Sequence, residues 1–264
     1  MKQRIIAGNW KMNTRRSEAM LLIESIRHGV DARQIPSSID VVICPPFLWL
    51  ENAIEACMVN PALHRSSRST VRCGAQDCHH EASGAYTGDV SAQMLADIGC
   101  TDVIVGHSER RLYHGETNAL IARKILAAHA AGLRPIVCIG ESAHEREHGA
   151  TRAVITQQLD ELVTGAGSDV LNSCIVAYEP LWAIGTGVAA SPEQAQDVHA
   201  LIREQLTAVG AASTPLLYGG SVTAQNAPSL FACPDIDGAL IGGASLSADS
   251  FLTIIDAAVS AWAE

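Results

Sequence analysis

A chain of 264 residues, 48% hydrophobic and 17% charged, can bury a sizeable core in one domain, and an α/β barrel of about 250 residues is a common solution at this length. The formal charge is −10, and no Lys/Arg run exceeds the pairs Arg15-Arg16 and Arg110-Arg111, which argues against a nucleic-acid partner. No apolar run approaches the roughly 18 residues of a membrane helix, the stretch Met1 to Asn9 has too little apolar length for a secretory leader, and none of the eight cysteines forms a C-x-x-C pair. A cytoplasmic protein with buried free thiols is expected, with no membrane partner.

In chain order, the first apolar run is Arg4 to Gly8, followed at once by Asn9, Trp10 and Lys11. Lysines are usually surface residues. One placed directly after a strand end and a tryptophan is a candidate for neutralising a phosphate or a developing oxyanion. An amphipathic stretch, Ser17 to His28, separates this run from a second, Ile39 to Cys44. The third run, Val71 to Gly74, is preceded by a polar stretch from Met58 to Arg72 whose composition reads as an exposed loop. Gln76 follows the third run. Cys73, Cys78, His79 and His80 lie nearby, but their spacing fits no zinc pattern.

The fourth run, Asp102 to Gly106, ends in His107, Ser108 and Glu109. A histidine opening a helical turn at a strand end can stay neutral and donate a hydrogen bond to a carbonyl. A helix is expected over Thr117 to Ala131, stopped by Gly132, and then a fifth strand from Pro135 to Gly140 carries Cys138 and ends at Glu141. His144 to His148 matches the H-E-x-x-H zinc pattern, but the segment is strongly polar and ends at Gly149. It reads as an exposed helix start rather than a buried metalloprotease helix.

After a helical stretch from Thr151 to Val163, the sixth run, Cys174 to Tyr178, closes on Glu179 and Pro180 and leads into an apolar segment ending in glycines. A carboxylate fixed there under a movable flap is a candidate general base. Ser191-Pro192-Glu193 starts a helix running to Val209, and Gly210 stops it. The last two runs, Pro215 to Gly219 and Gly238 to Gly242, end in Gly219-Gly220-Ser221 and Gly242-Gly243, turns that suit close approach to a phosphate. A final helix covers Ala248 to Trp262. Eight continuous apolar runs alternating with helical segments predict a closed (β/α)₈ barrel in one domain spanning 1–264, with an open doubly wound sheet as the alternative. The polar strand ends, from Asn9 and Lys11 through Gln76, His107, Glu141, Glu179 and Ser221 to Gly242, are then expected to converge on one mouth.

A base, a cation, a neutral electrophile, a phosphate cradle and a flap suit proton abstraction beside a carbonyl in a small phosphorylated compound, with no cofactor or metal. The motifs Gly8 to Asn13, Gly106 to Arg111, Val137 to Glu141, Tyr178 to Gly187, Tyr218 to Val222 and Asp237 to Ser245 resemble the triosephosphate isomerase family over essentially the whole chain. That family is itself the standard example of a glutamate base, a neutral histidine and a closing loop.

The resemblance implies interconversion of dihydroxyacetone phosphate and D-glyceraldehyde 3-phosphate without a cofactor. Glu179 would be the base, His107 the electrophile, and Lys11 the cation, with Asn9 beside it. Ser108, Glu109 and Cys138 would support them, and Gly185, Ser221, Gly242 and Gly243 would bind phosphate. Residues 180–188 would form a lid. The segment around 75–88 would form a homodimer loop, with Thr87 reaching toward the partner's site. The stretch 58–72 is longer than the family pattern. A four-carbon ketose phosphate isomerase and a non-catalytic phosphate-binding scaffold are the competing functions, and retention of Lys11 and Glu179 speaks against the scaffold.

Overall fold

The computed structural model describes residues 3–57, 71–183 and 190–262. Most of the long 58–72 stretch and the lid residues from 184 onward, Gly185 included, therefore lie outside the described residues. Eight parallel strands close into a barrel in sequence order: β1 (Arg4–Asn9), β2 (Ile39–Cys44), β3 (Val71–Ala75), β4 (Asp102–Val105), β5 (Arg134–Ile139), β6 (Ile175–Tyr178), β7 (Leu216–Tyr218) and β8 (Gly238–Ile241). The ring closes where Ile5 to Gly8 pair with Gly238 to Ile241. All eight apolar runs are strands. The run ends Gly106, Gly140, Cys174, Pro215, Gly219 and Gly242 lie just outside the strands.

Both faces of these strands are buried, which is why the runs are continuous rather than alternating. Ile5, Ala7, Val42, Cys44, Ile104, Ile136, Cys138, Ile175, Ala177, Leu217 and Leu240 fill the barrel interior. Their neighbours Ile6, Val41, Ile43, Val103, Val105, Val137, Ile139, Val176 and Tyr178 face the helical shell. That shell comprises α1 (Arg16–Asp31), α2 (Phe47–Cys57), α3 (Ala92–Asp97), α4 (Ser108–His114), α5 (Asn118–Ala130), α6 (Ala143–Glu147), α7 (Thr151–Ala166), α8 (Ser168–Leu171), α9 (Pro192–Ala208), α10 (Ala227–Phe231) and α11 (Ala248–Trp262). Ser191 caps α9 by accepting the Gln194 N–H, with Pro192 in the first turn, as expected. Gly132 and Gly210 follow α5 and α9 at φ 80° and 82°.

Charges cluster at the N-terminal rim, away from the mouth. Buried Asp102 accepts from Arg72 Nε at 3.0 Å and Arg134 Nε at 2.6 Å. Buried Asp237 accepts from Arg4 at 2.8 Å and also from Arg203. Removing one member of such a set leaves a buried charge uncompensated, so these residues serve stability.

Candidate active site

The inward alternation of β6 runs Ile175, Ala177 and then Glu179, so the carboxylate emerges at the top of the barrel interior. Its backbone is gripped on both sides. The Glu179 N–H donates to Ile139 O at 2.7 Å, and a Cβ at Gly140 would lie 1.8 Å from Glu179 O. A Cβ at Gly219 would meet Glu179 Cγ at 2.9 Å. Glycine at 140 and 219 is thus a condition of placing this carboxylate.

The side chain is buried, 2% exposed. Oε2 accepts the Ser108 N–H at 2.8 Å, and Oε1 lies 3.0 Å from His107 Nε2. His107 caps α4: its Nδ1 accepts the Glu109 N–H at 3.3 Å, which leaves the ring proton on Nε2, facing Glu179. Burial pushes the ring's pKa down. Contact with Glu179 outweighs it, so the value lies above 6.5 while the two groups touch. Burial pushes the Glu179 carboxyl up, but His107, the Ser108 N–H and Lys11 together hold it below the usual 4.5. Cys138 lies on the inner face of β5, and burial, with the nearby Glu179 charge, pushes its thiol far up.

The sign of that carboxyl shift has a measurable consequence. A group with a depressed folded pKa stabilises the fold above its unfolded value, and the contribution disappears as pH falls through the folded value. The difference in unfolding free energy between wild type and Glu179→Gln should therefore shrink when urea denaturation is moved from about pH 7 to about pH 3. A difference that stays constant would contradict a depressed carboxyl.

Lys11 occupies the left-handed region at φ 52°, uncommon for a residue with a Cβ. Three bonds hold it there. Its N–H donates to Asn9 Oδ1 at 3.0 Å, and Gln76 Nε2 donates to Lys11 O and to Cys44 O, both at 2.9 Å. The ammonium pairs with Glu109 Oε1 at 2.7 Å. Gln76 is thus the clamp of the Lys11 turn. Its position after β3 is visible in the sequence, but its partners are not.

A cavity of about 380 Å³ joins these groups. Asn9, Lys11, His107 and Glu179 line it together with Gly219 to Thr223 and Gly242 to Ala244. Trp10, Leu240 and Leu246, which sequence reading did not single out as site residues, complete the wall. Gly243 begins a 3-10 turn, Gly243–Leu246. The Ser221 hydroxyl donates to Ala183 O at 3.0 Å, tying the cradle to the base of the lid.

Glu141 does not join the mouth, contrary to expectation. One residue past the inward position Gly140, it lies behind the barrel, fully buried. Its Oε1 accepts from Tyr178 OH at 3.0 Å, Trp182 Nε1 at 3.1 Å and Arg146 at 3.1 Å. It therefore anchors the start of the lid rather than touching the cavity. His144 to Glu147 lie in the short helix α6 and His148 follows at its C-terminal end, with the two exposed imidazoles tilted at 49° and 4.2 Å apart. Among the described residues, no three His, Cys, Asp or Glu side chains are placed to hold a metal ion, and that includes the Cys73, Cys78, His79 and His80 neighbourhood.

The family model described as triosephosphate isomerase matches residues 4–258. A protein of Thiobacillus denitrificans named triosephosphate isomerase is 49% identical over 261 residues, covering 98% of this chain and 99% of its own. One of Nitrosococcus oceani, so named, is 46% identical over 98% of this chain and all of its own. A third, from a Shewanella strain, is 46% identical over 99% of both chains.

Proposed function

The chain belongs to the triosephosphate isomerase family and is an aldose–ketose isomerase interconverting dihydroxyacetone phosphate and D-glyceraldehyde 3-phosphate, and on that premise we propose how its residues divide the reaction. The supporting observation is the Glu179–His107 pair at 3.0 Å, in a cavity also lined by the glycine turns Gly219-Gly220 and Gly242-Gly243. The substrate phosphate lies against Ser221, Gly242 and Gly243, with Gly185 of the lid completing the cradle. The carbon chain then reaches between the carboxylate and the imidazole.

Glu179 removes a proton from the carbon next to the carbonyl and returns it to the neighbouring carbon. The His107 Nε2–H stabilises the negative charge on the two oxygens of the enediolate. With a substrate oxygen in place of the carboxylate, burial and the nearby Lys11 both act to keep the ring neutral. Lys11, with Asn9 at its turn, faces the phosphate and the developing charge. Ser108 and Glu109 position the base and the cation, and Cys138 supports the base from below. The lid, residues 180–188, excludes water and holds the enediolate until protonation, which suppresses loss of phosphate by elimination.

We also propose a cytoplasmic homodimer. A second cavity opens beside Lys11, bounded by Met12, Phe47, Gln76 and Tyr113. Met12 is 97% exposed and Tyr113 75%, and Leu48 and Tyr86 add to the same kind of exposed apolar surface. The 75–88 loop of a second copy, with Thr87 at its tip, fits this groove. No described helix is long and apolar enough to cross a membrane.

A coupled assay in both directions tests the reading. Triose phosphates should turn over far faster than a four-carbon ketose phosphate, and a chelator should change nothing. Negligible triose turnover, or loss of activity on chelation, would overturn it.

A further inference from the structure

Arg111 lies one turn after His107, in α4, and no step of the proposed reaction uses it. Its side chain is half-buried, and its guanidinium is spread over three acceptors, none of them a carboxylate. Nε donates to Gly106 O at 2.9 Å, one terminal nitrogen donates to Cys138 O at 2.9 Å, and the other donates to Asn118 Oδ1 at 2.6 Å. The Arg111 backbone N–H donates to His107 O at 3.0 Å. The carbonyls of Gly106 and His107 belong to the two peptide units that flank the His107 Cα. One residue therefore holds the site histidine from both ends.

The fork also joins two strand ends. The register of β4 on β5 runs up to Val105 and Val137. Gly106 and Cys138 are the next residues on each strand, and the guanidinium bonds both of their carbonyls. Gly106 has φ 68°, and a Cβ there would lie 2.7 Å from Ile121 Cδ1, so glycine permits this turn without holding it. On the β5 side, Cys138 pairs with Ala177 of β6, and the next carbonyl, Ile139 O, accepts the Glu179 N–H at 2.7 Å. Arg111 thus ties the peptide of the histidine to the strand that grips the carboxylate. Asn118, at the start of α5, orients the fork and is itself fixed, its Nδ2 donating to Glu161 Oε2 of α7 at 2.9 Å. Lysine would keep the charge here but lose the planar fork.

We propose that Arg111 is a positioning residue for the isomerisation: it fixes the peptide units on both sides of His107 against β5 and so sets the contact between the imidazole and Glu179. The role rests on the assignment of His107 and Glu179 made above. Arg111 touches no reacting atom. Without its fork, His107 shifts relative to the carboxylate, and the error falls on the chemical step. Binding is spared, because the proposed phosphate cradle follows β7 and β8, which Arg111 does not reach.

Arg111→Ala and Arg111→Lys in the full chain, assayed in both directions, test it. Both should lose at least about tenfold in kcat, approaching the roughly 10²-fold that a misplacement near 1 Å can cost, with KM within about threefold of wild type. Guanidinium ion, at concentrations that leave the wild type unaffected, should restore part of the kcat of Arg111→Ala without raising its melting temperature. Arg111→Lys, whose side chain fills the space, should not respond. If Arg111→Ala does not fold, Asn118→Ala decides: it removes only the acceptor that orients the fork, and should show a smaller loss of the same kind, in kcat and not in KM. A lowered melting temperature with kcat per folded molecule unchanged, a loss carried by KM, or no guanidinium response in folded Arg111→Ala would overturn the proposal. Glu179→Gln assayed alongside separates the two readings. If it keeps its turnover, the reaction scheme falls and the role of Arg111 with it. If it loses turnover while the Arg111 variants keep theirs, only the role of Arg111 falls.

Discussion

Glu179→Gln should lower kcat by at least about 10²-fold, with 10⁴-fold within reach, because general-base catalysis contributes on that scale. The substitution is close to isosteric. An amide oxygen can still accept the Ser108 N–H that now lies 2.8 Å from Oε2, and the backbone grip at Ile139 O is untouched. What is lost is the lone pair that takes the proton, so the deficit falls on chemistry. KM should move little, since the proposed phosphate cradle is built from other groups lining the cavity. Steady-state kinetics in both directions would show it. Turnover within about tenfold of wild type would remove Glu179 from the role of base, whatever the family resemblance implies.

The strands were legible because burial on both faces leaves an unbroken β-branched run, and the site because the inward alternation runs to Asn9 at the end of β1 and one residue past β6 to Glu179. The same alternation, counted through β5, places Gly140 inward and Glu141 outward. Reading every polar strand end as facing the mouth ignored that parity. Among the helices, α3, α8 and α10 have six, four and five residues, too few for a 3.6-residue period to show. The missed α2 has a nearly all-apolar first turn, Phe47 to Leu50, in which no polar face marks the helix. Least legible were features set by contacts across the barrel. The left-handed turn at Lys11 depends on Gln76, 65 positions away.

The other large effect should come from Lys11→Met. Methionine keeps the unbranched stem but deletes the ammonium, which now sits 2.7 Å from Glu109 Oε1 at the edge of the cavity. The backbone at φ 52° is held by Asn9 and Gln76 rather than by the ammonium, so the turn should survive the change. Losing a donor aimed at developing charge typically costs about 10² to 10³ in rate. A cation that also binds the phosphate adds a rise in KM, so kcat/KM should fall by at least about 10³-fold, split between both constants. Inorganic phosphate, which has no reacting carbon, separates the two contributions. Its inhibition constant should rise in the variant if Lys11 holds the phosphate and stay unchanged if the lysine acts on the enediolate alone. Unaltered kcat/KM would show that the Lys11–Glu109 pair is a surface ion pair that happens to border the cavity.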